Sequence, residues 1–535
     1  MNENQAKVLA NRIASFPGET WEQVVDRVVK HVISCEDYHE AVEMERDFKE
    51  IMLNMWFLPN SPCLRNFGAN NGNGSACFVL PIEDSRQSIF KTLSDAVEVQ
   101  ALGGGTGFNF SEIRPKGSLI SSTNGQASGP LSFIGVFDYT VGNVIAQGGV
   151  RKGANMAVLD CTHPDIFEFV KAKSIEGKYS NFNFSVGITD DFMNAVRYNE
   201  NWILHHPKGN TQNTIKAREL WNLIIECAHR NGEPGVVFLD TINKDNPYEA
   251  IKATNPCGEQ PLPPHTSCVL GSLNLRAIPP EKLMFTVRTA VRFLDNVIET
   301  NNYPVKEIEE RTKHYRNIGL GVMGYHDWLI KRNTVYGSDK ALEDTRELMR
   351  NIQKEAENAS MDLAVLKGKA PCGSERRNAN LTTVAPTGSL SMLADCSAGI
   401  EPYFAFEFEK QCMDQSITVK SSIMEEAYDD CTLVTAQDVS PADHLRTQAC
   451  FQEFIDAGIS KTINLPNDTS QFAIDKIYRS AWIQGCKGVT VYRDGSRQHQ
   501  AQSVATCPTC KSPLVKIEGC VSCSNPECGY SACSI

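Results

Sequence analysis

Residues 254–275, TNPCGEQPLPPHTSCVLGSLNL, bring an amide, a thiol and a carboxylate together at alternate positions: Asn255, Cys257 and Glu259. The prolines and Gly258 around them predict a loop rather than a helix or strand. Alternate side chains of an extended or turning loop project to one side, so these three can converge on one small ligand, although most such loops are structural. A second group of thiols lies at the C-terminal end. Cys507, Cys510, Cys520 and Cys523 form C-x2-C-x9-C-x2-C, two knuckles that supply four thiolates to a tetrahedral zinc ion. A module of about thirty residues buries too little apolar surface to fold alone, and a structural metal supplies the difference. Cys528 and Cys533, in the run ECGYSACSI, are then left over. A close pair in a terminal segment suits thiol exchange with a buried disulfide and then with an external reductant, unless Cys528 replaces Cys520 or Cys523 as a ligand. Finally, APTGSLSM at 385–392 offers Thr387, Gly388, Ser389 and Ser391, small residues that let backbone N–H groups close on an anion, as also happens in plain turns.

The rest of the sequence must position these groups. The chain has 535 residues, 41% hydrophobic and 22% charged, enough for one large core with an appendage. A formal charge of −12 disfavours a general nucleic-acid surface, because such affinity rests on basic groups, but leaves room for a local anion pocket. The opening MNENQAKVLANRI lacks a basic stretch followed by an apolar one, and no run of eighteen apolar residues occurs. The expectation is a cytoplasmic protein with no membrane partner, whose nineteen cysteines serve as ligands or redox groups rather than as a disulfide scaffold.

Helices and strands alternate, giving an α/β class. Thr20 and Gln23 form a capping box before Trp21, Val24, Val25, Val28 and Val32, which line one helical face. A second amphipathic helix is expected over 341–367, ending at Gly368. Phe182, Phe184, Val186 and Ile188 alternate as in a strand, and apolar periodicity vanishes over Asp494–Thr506, as in an exposed linker. The glycines of GGGTG at 103–107 lack the spacing and the later acidic residue of a dinucleotide fold.

Nine stretches in order, NSPCLRNFG (60–68), SACFVL (75–80), GGGTGFNFSEIRPKG (103–117), QGGVRKGANM (147–156), NPCGEQ (255–260), SCVLGSLNL (267–275), RNIGLGVMG (316–324), APTGSLSM (385–392) and GIEPYF (399–404), resemble the motifs of ribonucleotide reductases. The resemblance covers nearly all of the chain from residue 60 onward. It implies a ten-stranded α/β barrel with Cys257 at the tip of a central loop. The implied organisation is a helical segment at 1–60, the catalytic barrel at 61–495, a linker at 496–506 and a zinc-ribbon and dithiol tail at 507–535.

The resemblance also implies roles. Cys257 would carry the thiyl radical that takes hydrogen from the ribose C3′, Glu259 would accept the 3′-hydroxyl proton, and Asn255 would bind the ribose hydroxyls. Cys77 and Cys268 match the pair that supplies two electrons and ends as a disulfide. Ser61, Ala76, Thr387, Gly388, Ser389 and Ser391 match substrate-binding positions. Asp84, Ser85 and Arg114 match positions that hold a deoxynucleotide effector, with the loop from Lys173 to Asn183 reporting it to the substrate base. This chemistry needs those residue types: sulfur alone among side-chain elements gives a reversible radical strong enough for a carbon–hydrogen bond, and loss of the 2′-hydroxyl needs a proton donor and two thiols.

Within the family, the run KGVTVYRDGSR has Tyr492 without the adjacent tyrosine of chains that receive a radical from a second subunit, and no glycyl-radical motif is present. The ribbon and dithiol tail resemble the class that uses adenosylcobalamin, although no D-x-H-x-x-G motif occurs. The implied cofactors are adenosylcobalamin and a structural zinc; the implied partners are a ribonucleotide, more in keeping with a diphosphate, a deoxynucleotide effector, thioredoxin or glutaredoxin, and a second copy in a homodimer. No ATP-cone sequence is recognisable near the N-terminus. The alternatives are a catalytic chain that needs a radical-generating subunit and an inactive zinc-ribbon binding protein.

Overall fold

Thr20 caps its helix as its spacing predicts: its hydroxyl accepts from Gln23 N–H and the Gln23 side chain accepts from Thr20 N–H. The computed structural model describes residues 1–69, 72–121, 123–144, 153–175, 177–209, 212–412 and 415–496, with the backbone of short strands at 502–503, 514–517, 520–523 and 531–533. The helices used below are α1 (Trp21–Val32), α2 (Tyr38–Leu53), α3 (Ser61–Asn66), α4 (Arg86–Ala101), α5 (Pro130–Tyr139), α6 (Leu283–Thr300), α7 (Asp339–Lys367) and α8 (Gly388–Ala394). α7 starts at the Ser338 cap and stops at Gly368, as its periodicity and that glycine predict.

Ten strands form the large sheet: β1 (Phe57–Pro59), β2 (Cys77–Val79), β3 (Gly105–Asn109), β4 (Asn155–Asp160), β5 (Phe182–Ile188), β6 (Gly235–Phe238), β7 (Thr266–Asn274), β8 (Ile318–Met323), β9 (Thr462–Leu465) and β10 (Gly488–Arg493). β2 to β6 run parallel to one another in chain order. β7 and β8 are parallel, as are β9 and β10. The blocks meet through antiparallel pairs, β2 with β7 and β6 with β10. Beyond β8, the stretch 380–384 continues the ladder. Ile318 and Thr383 N–H donate to Asn380 and Leu320 carbonyls at 3.1 Å each, and Ala457 and Ser460 N–H donate to Thr382 and Val384 carbonyls at 2.9 Å each, just before β9.

Parallel strands are buried on both faces and therefore read as nearly continuous apolar runs; all six residues of β8, IGLGVM, are buried. Two large apolar clusters lie against the sheet. One joins α1, α2, α6 and α7 to β1, β7 and β8; the other joins α4 and α5 to β2 through β6. Two smaller clusters, one around Cys77, Val79, Cys268 and Leu270 and one around Met156, Val158 and Val237, surround a short hairpin, Ala253–Thr254 paired with Pro261–Leu262. That hairpin carries the 254–260 loop. No helix among the described residues is long and apolar enough to cross a membrane.

Candidate active site

The loop forms a finger closed on itself: Asn255 N–H donates to Gln260 C=O at 3.2 Å, Gln260 N–H to Asn255 Oδ1 at 2.9 Å, and Gly258 N–H to Asn255 C=O at 3.1 Å. Gly258 takes a left-handed φ of +82°, which turns the tip just after Cys257. From outside, Gly458 N–H and the Thr383 hydroxyl donate to Glu259 C=O at 2.8 and 2.9 Å. The finger lies directly on β3. A β-carbon at Gly107 would stand 1.8 Å from Thr254 O, and one at Gly105 would stand 2.9 Å from Pro256 Cγ. The glycines of GGGTG therefore admit the finger, a role that the isolated motif does not announce.

Cys77 on β2 and Cys268 on β7 are register partners across an antiparallel pair. Residues directly opposite in such a pair have Cα atoms about 4.5–5.5 Å apart. That spacing falls within the roughly 4.4–6.8 Å that disulfides span. Both cysteines are buried, whereas Cys257 is exposed at the fingertip. Cys77 faces the finger: the Asn255 amide donates to its sulfur at 3.0 Å, and its thiol donates to Glu259 Oε1 at 3.7 Å. Burial first, and the Glu259 carboxylate second, hold the Cys77 and Cys268 thiols well above the usual thiol range, and Cys257 is near enough to Cys77 to add to the effect there. Both buried groups are accordingly neutral thiols at pH 7, able to give hydrogen rather than to attack as thiolates.

Two cavities meet at Cys257. The smaller, about 130 Å³, is lined by Cys77, Asn255, Cys257 and Glu259, and also by Ser61, Ala76, Thr387, Gly388 and Ser389. The larger, about 610 Å³, has Cys257 on its wall with Tyr403, Lys461 and Tyr492. The three catalytic types and five of the six substrate-binding positions expected from the sequence thus gather at one cavity. Ser391, one turn into α8, lines the larger cavity instead, and Cys268 lines neither cavity but stands opposite Cys77 in the ladder. Sequence reasoning missed Gly103, Gly104 and Gly105 as lining residues, and Asn60, which caps α3 through Cys63 N–H at 3.0 Å.

Asp84, Ser85 and Arg114 line neither cavity and form a group of their own. The Arg114 guanidinium bonds Asp84 Oδ2 at 2.8 Å, its N–H donates to Asp84 Oδ1 at 3.2 Å, and the Ser85 hydroxyl caps α4 by accepting from Ser88 N–H at 3.1 Å. Of the C-terminal cysteines, Cys507, Cys510 and Cys528 lie outside the described residues, and for Cys520, Cys523 and Cys533 only the backbone is described, with Cys520 opposite Cys533. Among the described residues no group of three or more His, Cys, Asp or Glu side chains is placed to hold a metal ion.

The model of the ribonucleotide reductase barrel domain matches residues 75–376 and 372–492, and that of the all-alpha domain matches residues 1–72. The chain is 42% identical to a vitamin B12-dependent ribonucleoside-diphosphate reductase of Thermoplasma acidophilum, over 87% of this chain and 67% of that one. It is 41% identical to the protein of the same name from Mycobacterium tuberculosis (strain H37Rv), over 91% of this chain and 76% of that one. A vitamin B12-dependent ribonucleotide reductase of Rhodopirellula baltica is 29% identical, over 80% of this chain and 53% of that one. Matched from its first helices to its last long strand, and sharing two-fifths of its residues with two such enzymes, this chain belongs to the ribonucleotide reductase family.

Proposed function

We propose that the chain is an enzyme that reduces ribonucleoside diphosphates to 2′-deoxyribonucleotides, with Cys257 as its radical-bearing sulfur. The observation that carries this reading is the meeting of Cys77, Asn255, Cys257 and Glu259 at one small cavity, with Cys268 registered against Cys77. In this reading Cys257 takes the 3′ hydrogen from the ribose, Glu259 accepts the 3′-hydroxyl proton and Asn255 binds the hydroxyls. The neutral Cys77 thiol protonates the 2′-hydroxyl, which leaves as water; Cys77 and Cys268 then close a disulfide, giving two electrons and the second thiol hydrogen to C2′, and Cys257 returns its hydrogen to C3′. Ser61, Ala76, Thr387, Gly388, Ser389 and Ser391 hold the substrate.

The larger cavity has room for part of an organic cofactor. At about 610 Å³ it has the size usual for a drug-sized ligand, enough for the adenosyl end of adenosylcobalamin but not for the whole molecule, and it presents Cys257 beside the polar Glu401, Lys461 and Asn464 and the apolar Val489 and Val491. Adenosylcobalamin, when bound, supplies the radical equivalent that Cys257 receives. Glu401 and Asn464 would hold its polar edge, with the buried Lys461 ammonium fixing Glu401 from behind at 2.5 Å, while Val489 and Val491 would exclude water from that wall.

The ladder from β8 through 380–384 to the approach of β9 supports closure of the ten strands into a barrel, and with it the division into a helical segment at 1–60, a barrel at 61–495, a linker at 496–506 and a tail at 507–535. The cysteine spacing supports a zinc ribbon formed by Cys507, Cys510, Cys520 and Cys523, with Cys528 and Cys533 passing electrons from thioredoxin or glutaredoxin. The cluster of Asp84, Ser85 and Arg114 supports an effector site. Phe90 on α4 and Tyr139 on α5, 50% and 65% exposed, are apolar side chains that a homodimer would cover.

The test is turnover of a ribonucleoside diphosphate by purified protein with adenosylcobalamin and dithiothreitol. Activity with these alone, lost in Cys257→Ala while nucleotide binding persists, is the expected result. Activity only after addition of a radical-generating subunit would instead favour the other reductase class.

A further inference from the structure

Besides Cys77 and the β3 glycines, two sets of groups from outside hold the backbone carbonyls of the finger, one at Glu259 and one at Pro256. Gly458 and Thr383 grip the carbonyl of Glu259. The side-chain amide of Asn183 donates to Pro256 C=O at 2.7 Å. Asn183 is the second residue of β5, where Phe182 and Phe184 turn into the core and Asn183 turns outward onto the wall of the larger cavity. Its own place is firmly set. Lys173 Nζ donates to Phe182 C=O at 2.5 Å and to Glu233 Oε1 at 2.8 Å, Glu233 Oε2 accepts from Phe184 N–H at 3.1 Å, and Asn155 N–H donates to Asn181 C=O at 2.8 Å.

Pro256 has no N–H, so its carbonyl is its one backbone hydrogen-bonding group. That carbonyl shares a rigid peptide plane with the nitrogen of Cys257, and a rotation of the plane swings the cysteine side chain. Gly105 lies against the proline ring on another side, leaving the ring little freedom to follow. We propose that Asn183 is a positioning residue for the Cys257 sulfur: by gripping Pro256 C=O it locks the Pro256–Cys257 peptide and holds the thiol between the two cavities. Its catalytic consequence rests on the reading of Cys257 given above. The clasp also ties the end of the 173–183 loop to the residue before the reactive sulfur.

The experiment compares Asn183→Asp, which keeps the shape but cannot donate, with Asn183→Ala. In protein without cofactor or nucleotide, the rate of Cys257 alkylation by iodoacetamide is followed by peptide mass spectrometry; in complete enzyme, kcat and KM are measured. Both variants should alkylate Cys257 several-fold faster than the parent. Both should lose about tenfold in kcat, the equivalent of one hydrogen bond, with the nucleotide KM within twofold. An Asp variant that matches the parent in both measurements overturns the proposal, even where the Ala variant is impaired or fails to fold, because shape rather than donation would then matter. A fall in kcat with unchanged alkylation also overturns it. Faster alkylation with unchanged kcat overturns it too, because the sulfur would then turn over without the clasp; the radical role itself is tested separately by Cys257→Ala.

Discussion

Gly107→Ala is the substitution that most directly probes how the finger is seated. The added β-carbon would stand 1.8 Å from the Thr254 carbonyl oxygen, where ordinary contact begins at 3.4 Å, so about 1.6 Å of space must be found. Both atoms belong to backbones, β3 on one side and the hairpin on the other, and neither can rotate away as a flexible side chain does. β3 is fixed by its ladders to β2 and β4, whereas the hairpin strands are only two residues long. The hairpin should therefore move. A displacement of about 1 Å at reacting groups costs on the order of 100-fold in rate, and overpacking of this kind costs about 1–3 kcal/mol in stability. We expect kcat for ribonucleotide reduction to fall at least about 100-fold in a protein that still unfolds cooperatively. Gly105→Ala meets only the edge of the Pro256 ring, at 2.9 Å, and should lose much less. Turnover with adenosylcobalamin and dithiothreitol, read beside thermal melts, decides the matter. A folded Gly107→Ala enzyme within threefold of the parent, or one less impaired than Gly105→Ala, would refute the packing argument.

Four further outcomes are expected. Mild oxidation of the resting protein should join Cys77 to Cys268, detected as one cross-linked peptide pair; a pairing of either with another cysteine would contradict their register. Replacing both Cys528 and Cys533 by serine should stop turnover driven by thioredoxin and spare turnover driven by dithiothreitol, and equal loss with both reductants would point to a structural or zinc role. Arg114→Ala leaves the Asp84 carboxylate without its partner at 2.8 Å and should weaken binding of a deoxynucleotide effector while basal turnover persists; unchanged effector affinity by calorimetry would remove these residues from that site. Burial holds His326 down to about 4, and burial with the neighbouring Lys461 holds His444 to about 3. Both groups titrate near 6.5 when unfolded, so their contribution is complete above that pH and is lost as pH falls from 6.5 towards those values, by about 2 kcal/mol each at pH 5. Urea midpoints at pH 7 and pH 5 should show the fall, and a His326→Asn variant with the parental pH slope would contradict it.

The sequence carried local features well and relations across the chain poorly. The Thr20 box, the end of α7 at Gly368 and the alternation in β5 are contacts within a few residues, and each stands as its pattern predicts. The turn at 254–260 was legible from Gly258 and its prolines. That β3 glycines serve as its seat was not, because the backbone they admit lies far along the chain. Spacing alone does not reveal that Cys77 stands opposite Cys268: register is fixed by a ladder between strands distant in sequence. The helical period separates Ser391 from Ser389, so two neighbouring serines of one motif look into different cavities. Asn183 stands in the sequence only as the end of the 173–183 loop, and its partner is hidden for a similar reason. In a strand of buried aromatics one outward amide looks like ordinary alternation, and only the position of Pro256 gives it a partner.

Thr383, one of the fasteners of the finger, lies 124 residues beyond the carbonyl it holds, and Gly458 lies further still. A ribosome working at about 5–20 residues per second therefore delivers Cys257 many seconds before it delivers what seats it. Throughout that interval the nascent chain carries Cys257 on a finger that lacks both of these contacts, so the seating of the finger waits on segments made long after it.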